Sequence, residues 1–361
     1  MRTIVYYVSG HGFGHARRTA PVLRAIVAAD PAVRIVVRTA APAAMFDGIA
    51  NVRITAPAQD FDPGAVERDA LTVDPAASLA RLAGVVSRKD EIVAAEAAFV
   101  RGCGAQLIAA DIPFLAGDVA EAAGIPAVAV GNFTWDWIYE AYAPPRTRGL
   151  VAAVRASYGK MRTLYQLPLG HRVTSFREVV PVPLLAERAR GDRAATLARL
   201  GVEGADPRRR VLVAMRGGVE VGVLRRAAEA SPEILFFTGQ PLPDAPANLR
   251  ALPGDGLDFT DALAACDAAV AKLGYGIVSD CIANGVGLLH PPRTGFREDE
   301  ISLREGPRYL RMRGIRREDF EAGNWRNDLI ALLDQAAPRE WMSPNGGIVI
   351  AERIVERLKR T

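Results

Sequence analysis

The feature that most constrains this chain is an alternation of strand-like and helix-like segments that runs twice. In the first series, "TIVYYVS" (3–9) is an unbroken run of strand length. "ARRTAPVLRAIVAAD" (16–30) follows as a helix, with Val22, Leu23, Ile26 and Val27 at helical spacing and Pro21 expected in or near its first turns. "RIVVRTA" (34–40), "AQLIAAD" (105–111) and "PAVAVGN" (126–132) read as further strands; 78–103 reads as one long helix and 116–124 as a helix ending in glycine. Continuous apolar strands separated by helices predict a parallel sheet covered on both faces. Residues 132–180 read as helices and loops near a cleft, and 179–195, rich in proline and then arginine, as a linker.

The second series repeats the pattern. "RVLVAMRGG" (210–218), "EILFFTGQ" (233–240), "AAVAKLG" (268–274) and "VGLLHPPR" (286–293) are strands running into loops; 221–230, 261–267 and 275–285 are helices. The expected fold class is α/β, with two Rossmann-like domains, 1–185 and 186–345, facing each other across a cleft. The last segment, 346–361, is an amphipathic helix that could cross back to the first domain.

Bulk composition narrows the class. The chain has 361 residues, half of them hydrophobic, enough for two cores. A net charge of +4 suits an anionic small ligand or peripheral contact with an anionic membrane face. No dense Lys/Arg run with interleaved aromatics appears, so nucleic acid is not expected as a partner. Cys103, Cys266 and Cys281 are widely spaced and form no ligand cluster, so no metal is expected. No stretch of about 18 apolar residues occurs, and a cytoplasmic protein is expected.

Within this frame, "YYVSGHGFGHARR" (6–18) joins a strand to a helix through three glycines and two histidines. Glycines let a ligand approach the backbone, and the helix start behind them offers free N–H groups. The spacing is not a convincing GxGxxG, and no Walker lysine is present. His15 at the C-terminal edge of the sheet is the candidate general base, because imidazole exchanges a proton near neutral pH. Gly12, Phe13 and Gly14 would line the site beside it, and His11 would either line it or only hold the loop. Asp111 ends a later strand of the same sheet and so reaches the same edge. It could orient the imidazole, or it could simply cap the turn before Pro113. Arg17 and Arg18 would meet an anionic acceptor or solvent. In the aromatic stretch Phe133–Tyr139, Trp135, with Asn132 just before it, is expected to wall the acceptor pocket or to pack in the core.

"AKLGYGIVSDCIANG" (271–285) is the counterpart in the second half. A strand, then Gly274-Tyr275-Gly276, then a helix could hold a diphosphate on backbone N–H groups. Ser279 and Asp280 fall in the first turns, and Asp280 suits sugar hydroxyls. Lys272, or Arg216 beside Gly217 in "MRGG", would neutralise phosphate charge. "FTGQ", with Gly239 and Gln240, would hold the base. The other reading makes each a tight turn of an α/β fold.

The segments "YYVSGHGFGHARR", "DIPFLAGDVAEAAGIPAVAVGNFTWDWIY" and "KLGYGIVSDCIANGVGLLHPPR" resemble the GT-B glycosyltransferases. In particular they resemble the glycosyltransferase-like amino-terminal part of plant arabinokinases and related bacterial proteins. The resemblance implies an acceptor in the first lobe and a nucleotide-sugar in the second. It implies His15 as catalytic base, Asp111 as its orienting acid, and Gly274, Gly276, Ser279 and Asp280 as the donor loop and helix. The ribose-binding acid is commonly glutamate in such enzymes, and Asp280 is shorter. The acidic segment after the donor helix is matched only by "FREDEIS" (296–302), which points to Glu298 and Glu300. In arabinokinases the kinase activity lies outside this part.

The function expected is inverting, metal-independent transfer of a sugar from a nucleotide-sugar, a UDP-sugar first among them, to an acceptor hydroxyl. No cofactor is expected beyond that co-substrate. The alternatives are a non-catalytic nucleotide- or sugar-binding module and a nucleotide-sugar epimerase or hydrolase on the same fold.

Overall fold

A computed structural model describes residues 2–10, 14–57, 60–202, 204, 206–215, 217–254 and 256–360. Among the described residues, nine strands precede residue 182: β1 (Arg2–Val8), β2 (Val33–Arg38), β3 (Val52–Thr55), β4 (Glu67–Asp69), β5 (Thr72–Val73), β6 (Leu107–Asp111), β7 (Ala127–Gly131), β8 (Thr163–Gln166) and β9 (Glu178–Pro181). Seven of them form a wholly parallel sheet in the order β3-β2-β1-β6-β7-β8-β9, and β4 pairs with β5 as a small hairpin. Six follow: β10 (Arg209–Val213), β11 (Ile234–Thr238), β12 (Leu249–Ala251), β13 (Ala268–Val270), β14 (Gly287–His290) and β15 (Met312–Gly314). They make a second parallel sheet, β12-β11-β10-β13-β14-β15.

The period of two along each strand sorts the cores. Ile4, Tyr6 and Val8 of β1 join one cluster, and Val5 and Tyr7 join another on the opposite face. Leu212 of β10 shares the first cluster with β1, whereas Val211 and Val213 belong to a third, on the far face of the second sheet. One apolar core therefore runs between the lobes. The last helix, Gly346–Lys359, contributes Ile350, Ala351, Ile354, Val355 and Leu358 to it, and so returns to the first helix, α1 (Gly14–Ala29). Its Gly347 sits against Pro21. The two chain crossings lie side by side: Leu184 N–H donates to Ser343 O at 3.0 Å, and Gly346 N–H donates to Leu184 O at 3.0 Å.

Several expectations change. Helix α1 begins at Gly14, so Pro21 is its eighth residue, past the first turn, and a backbone bond is forgone there. The long helix expected over 78–103 is two, Pro75–Ser87 and Lys89–Gly102, broken at Arg88. The segment read as helices and loops also contains β8, and β9 occupies the start of the presumed linker. Four-residue strands give too short a pattern to separate from loop. Among the described residues, no helix is long and apolar enough to cross a membrane.

Close packing sets one stability prediction. In the helix Ala116–Ala123, a Cβ on Gly117 would lie 2.1 Å from Ser157 O of the neighbouring helix. Gly117→Ala should therefore lower stability by about 1–3 kcal/mol, read as a shift in the urea midpoint.

Candidate functional site

In each sheet the strand order reverses beside the first strand, between β1 and β6 and between β10 and β13. Loops diverge at such a point and leave a crevice at the carboxyl ends of the strands. The loops after β1 and β6 meet there in the first lobe, and those after β10 and β13 meet opposite them in the second.

At the first crevice Ser9 N–H donates to Asp111 O at 2.8 Å, which ties the end of β1 to the end of β6. Gly10 must lack a side chain, since its Cβ would meet Ala40 Cβ at 2.8 Å. His11, Gly12 and Phe13 lie outside the described residues. His15 stands in the first turn of α1, with Nδ1 2.8 Å from Asp111 Oδ1. Its ring meets Phe133 edge-on at 6.0 Å.

Asp111 is completely buried and fully engaged. Arg18 donates Nε to Oδ2 at 2.7 Å and Nη2 to Oδ1 at 2.5 Å, and the Thr19 hydroxyl donates to Oδ2 at 3.0 Å. Burial by itself would raise the Asp111 pKa; the Arg18 guanidinium, and then His15, reverse this and hold it well below the usual carboxylate range. An ionised carboxylate only accepts, so His15 Nδ1 carries the proton and donates it to Asp111. Nε2 is left as the acceptor. Arg18 Nη2, 3.1 Å from Nδ1, is a second donor there and forms no bond with it.

Asn132 accepts from Arg18 Nη1 at 2.8 Å and donates to Glu298 of the second lobe at 2.7 Å. It braces the acid–base pair and does not line the cleft. Trp135 is a core residue packed on Phe133 and Tyr139, and of the aromatic stretch it is Phe133 that lines the cleft.

The two arginines part company, as successive positions on a helix must. Arg18 points inward to Asp111. Arg17 crosses to the second lobe, where it sits over Phe259 at 4.2 Å, donates to the Thr260 hydroxyl at 3.1 Å and pairs with Asp280 at 3.0 Å. Both arginines are held by protein partners and both also border the cleft between the lobes.

A cleft of about 620 Å³ separates the lobes. Gly14 and His15 line it from the first lobe. Gly217, Gly239, Gln240, Lys272, Gly274, Tyr275, Gly276 and Asp280 line it from the second. The helix Tyr275–Asn284 starts at Gly274, so its free N–H groups open on this space. Gln240 is fixed to its own loop, accepting from Val219 N–H at 2.9 Å and donating to Val219 O at 2.7 Å. Lys272 reaches across to Glu67 at 3.1 Å. Arg216 lies outside the described residues.

Three expected donor residues are placed differently from a free ligand. Asp280 already holds Arg17 and accepts from Glu187 N–H at 3.0 Å; burial pushes its pKa up to about 6 against Arg17's pull. Ser279 donates to Gly276 O at 2.9 Å and does not border the cleft. Glu300 is exposed and outside it. Glu298 lines it instead, with Arg293 at 3.7 Å. Sequence reasoning missed Arg293, Phe296 and Glu67 as lining residues: the first two lie in the loop after β14 and Glu67 opens β4, and no residue pattern marks them. Among the described residues, no group of three or more His, Cys, Asp and Glu side chains converges as a metal site would.

No protein-family model matches the chain. It is 32% identical over 300 residues to the L-arabinokinase of Arabidopsis thaliana, an alignment that covers 81% of this chain and 28% of that protein. The chain thus spans little more than a quarter of the length of that relative. Among solved structures, the kitacinnamycin glycotransferase superposes with a TM-score of 0.66 at 15% identity, covering 99% of both chains. A transferase from Siraitia grosvenorii, solved with UDP, superposes with a TM-score of 0.58 at 12% identity, covering 99% of this chain and all of that one. These likenesses identify the fold as GT-B, two Rossmann-like domains facing each other across a cleft.

Proposed function

We propose that this chain, on its GT-B fold, is an inverting glycosyltransferase that moves a sugar from a nucleotide-sugar to an acceptor hydroxyl. One observation carries the reading: His15, oriented by Asp111, faces the glycine loop Gly274–Gly276 and its helix N-terminus across a single cleft. A base on one wall and a diphosphate cradle on the other are the two halves of a displacement at an anomeric carbon.

In this reading Nε2 of His15 takes the acceptor hydroxyl proton as that oxygen bonds to the anomeric carbon. The bond from that carbon to the diphosphate oxygen breaks, with attack from the opposite face, so the configuration inverts. The leaving diphosphate carries away the electron pair. Its charge is met by the free N–H groups of the helix's first turn, at Tyr275, Gly276 and Ile277, and by Lys272, with Arg216 as a further cation. The scheme calls for no metal ion. UDP-sugar is the first donor to try; the arabinokinase kinship does not carry its activity to this chain.

The test is thermal unfolding against UDP, GDP, dTDP, ADP and CDP. A nucleotide at a hundred times its dissociation constant adds about 2.7 kcal/mol to the native state. Gly274→Asp is the informative variant. Gly274 is extended (φ −163°) with no atom within 4 Å of a built Cβ, and aspartate caps helices well. The variant should fold normally and lose the nucleotide shift, because its carboxylate occupies the diphosphate position. A wild type stabilised by none of the five would end the reading.

A further inference from the structure

At the opposite edge of the first sheet from His15, a cavity of about 410 Å³ opens between the amino ends of β7, β8 and β9 and the last turns of the terminal helix. Arg162, just before β8, borders it from the sheet, and Arg353, Arg357 and Arg360 border it from the helix. Their spacing of four and then three residues stacks these three on one stripe. Tyr165 lies among the guanidinium groups: burial raises its pKa, and Arg357 and then Arg353 pull it back.

The acids bordering the cavity do not match these bases. Glu178 accepts from the Thr163 hydroxyl at 2.7 Å, and Glu356 accepts from Arg360 at 2.5 Å. Arg357 reaches the Thr163 hydroxyl at 3.4 Å. The side chains of Arg162 and Arg353, both exposed, have no hydrogen bond or ion pair among the described residues. Four arginines against two glutamates leave two positive charges in excess. The helix C-terminus favours Arg357 and Arg360 where they stand. It gives no reason for Arg162, which lies on another element, or for Arg353, which is more than a turn back. Cations three and four apart on one stripe repel, a cost that a bound counter-charge removes.

These walls select the counter-charge. The arginines exclude a cation. A monocarboxylate brings one negative charge and two oxygens to four guanidinium groups. A phosphate monoester brings close to two charges, matching the excess, and three oxygens that take forked N–H pairs. The volume admits that group together with a small organic part.

We propose that this cavity binds a dianionic phosphate group, carried by a small phosphorylated molecule or by a phospholipid headgroup, with Arg162 and Arg353 as its unshared donors. The site stands apart from the cleft and does not depend on the transferase reading. An occupant held by both arginines ties the end of the terminal helix to the first lobe, and that helix packs on α1, which carries His15.

The experiment is isothermal titration of the full chain with inorganic phosphate at constant ionic strength. The wild type should bind phosphate, and Arg162→Ala and Arg353→Ala should each weaken binding by about tenfold. Neither arginine holds a protein partner, so both variants should fold. Arg304→Ala, which removes one exposed charge elsewhere, should bind as the wild type does, and so should Gly274→Asp, which blocks the diphosphate cradle in the cleft. Sedimentation with vesicles of phosphatidic acid, against phosphatidylcholine alone, separates the two carriers. Vesicle binding lost in Arg353→Ala assigns the phosphate to a lipid headgroup, and phosphate binding without sedimentation assigns it to a soluble compound. Three results overturn the proposal: no binding of phosphate or of phosphatidic acid vesicles by the wild type, equal affinity in Arg162→Ala, Arg353→Ala and the wild type, or equal weakening in Arg304→Ala. Phosphate binding lost in Gly274→Asp and kept in the two arginine variants overturns it as well, because the anion would then sit in the cleft.

Discussion

His15→Ala should reduce sugar transfer by about 10²–10⁴-fold while leaving nucleotide binding intact. The large effect follows from the geometry of one proton. The acceptor hydroxyl is a poor nucleophile until its proton has somewhere to go, and His15 Nε2 is the acceptor that the Nδ1–Asp111 bond leaves free. The small effect on binding follows from position. The diphosphate cradle belongs to Gly274 and the helix behind it, on the opposite wall. The variant should also remain folded, because Asp111 keeps Arg18 and Thr19 as partners when the imidazole is gone. Single-turnover assays and thermal shifts on the same preparation check both halves. Turnover undiminished in His15→Ala would remove the base from the mechanism.

Arg18→Met should have the largest effect on stability. It leaves the carboxylate of Asp111 buried with its main counter-charge gone, a change that costs about 3–5 kcal/mol. Arg18→Met with Asp111→Asn should recover a good part of that loss, since a neutral pair replaces a lone charge. The dependence on pH has a definite sign. The folded pKa of Asp111 lies below its unfolded value, so its contribution is fully present above about pH 4 and is lost as pH falls further. Without Arg18, burial works to raise that pKa. Arg18→Met should therefore lose more stability near pH 8 than near pH 4. Denaturant midpoints at the two pH values measure it, and an equal loss at both would refute the assignment.

The fold was legible because its main signal is periodic. Buried parallel strands such as β1 and β6 are unbroken apolar runs, and the helices between them show a face. The short strands β8 and β9 were not legible, because four residues carry no period. The pairing of His15 with Asp111 could be argued from strand ends, since a parallel sheet brings them to one edge. The role of Arg18 could not. Its partner lies 93 residues away, and nothing in "HARR" tells which arginine turns inward. Asp280 shows the same limit from the other side: its residue type suited a ligand, but a cross-lobe contact with Arg17 had already engaged it.

The paired crossings at Leu184 and Ser343–Gly346 also bear on how the lobes can move. Two crossings bonded to each other behave as one doubled strap: a change in the angle between the lobes at Leu184 must be matched at Ser343–Gly346, or the two bonds that join them break.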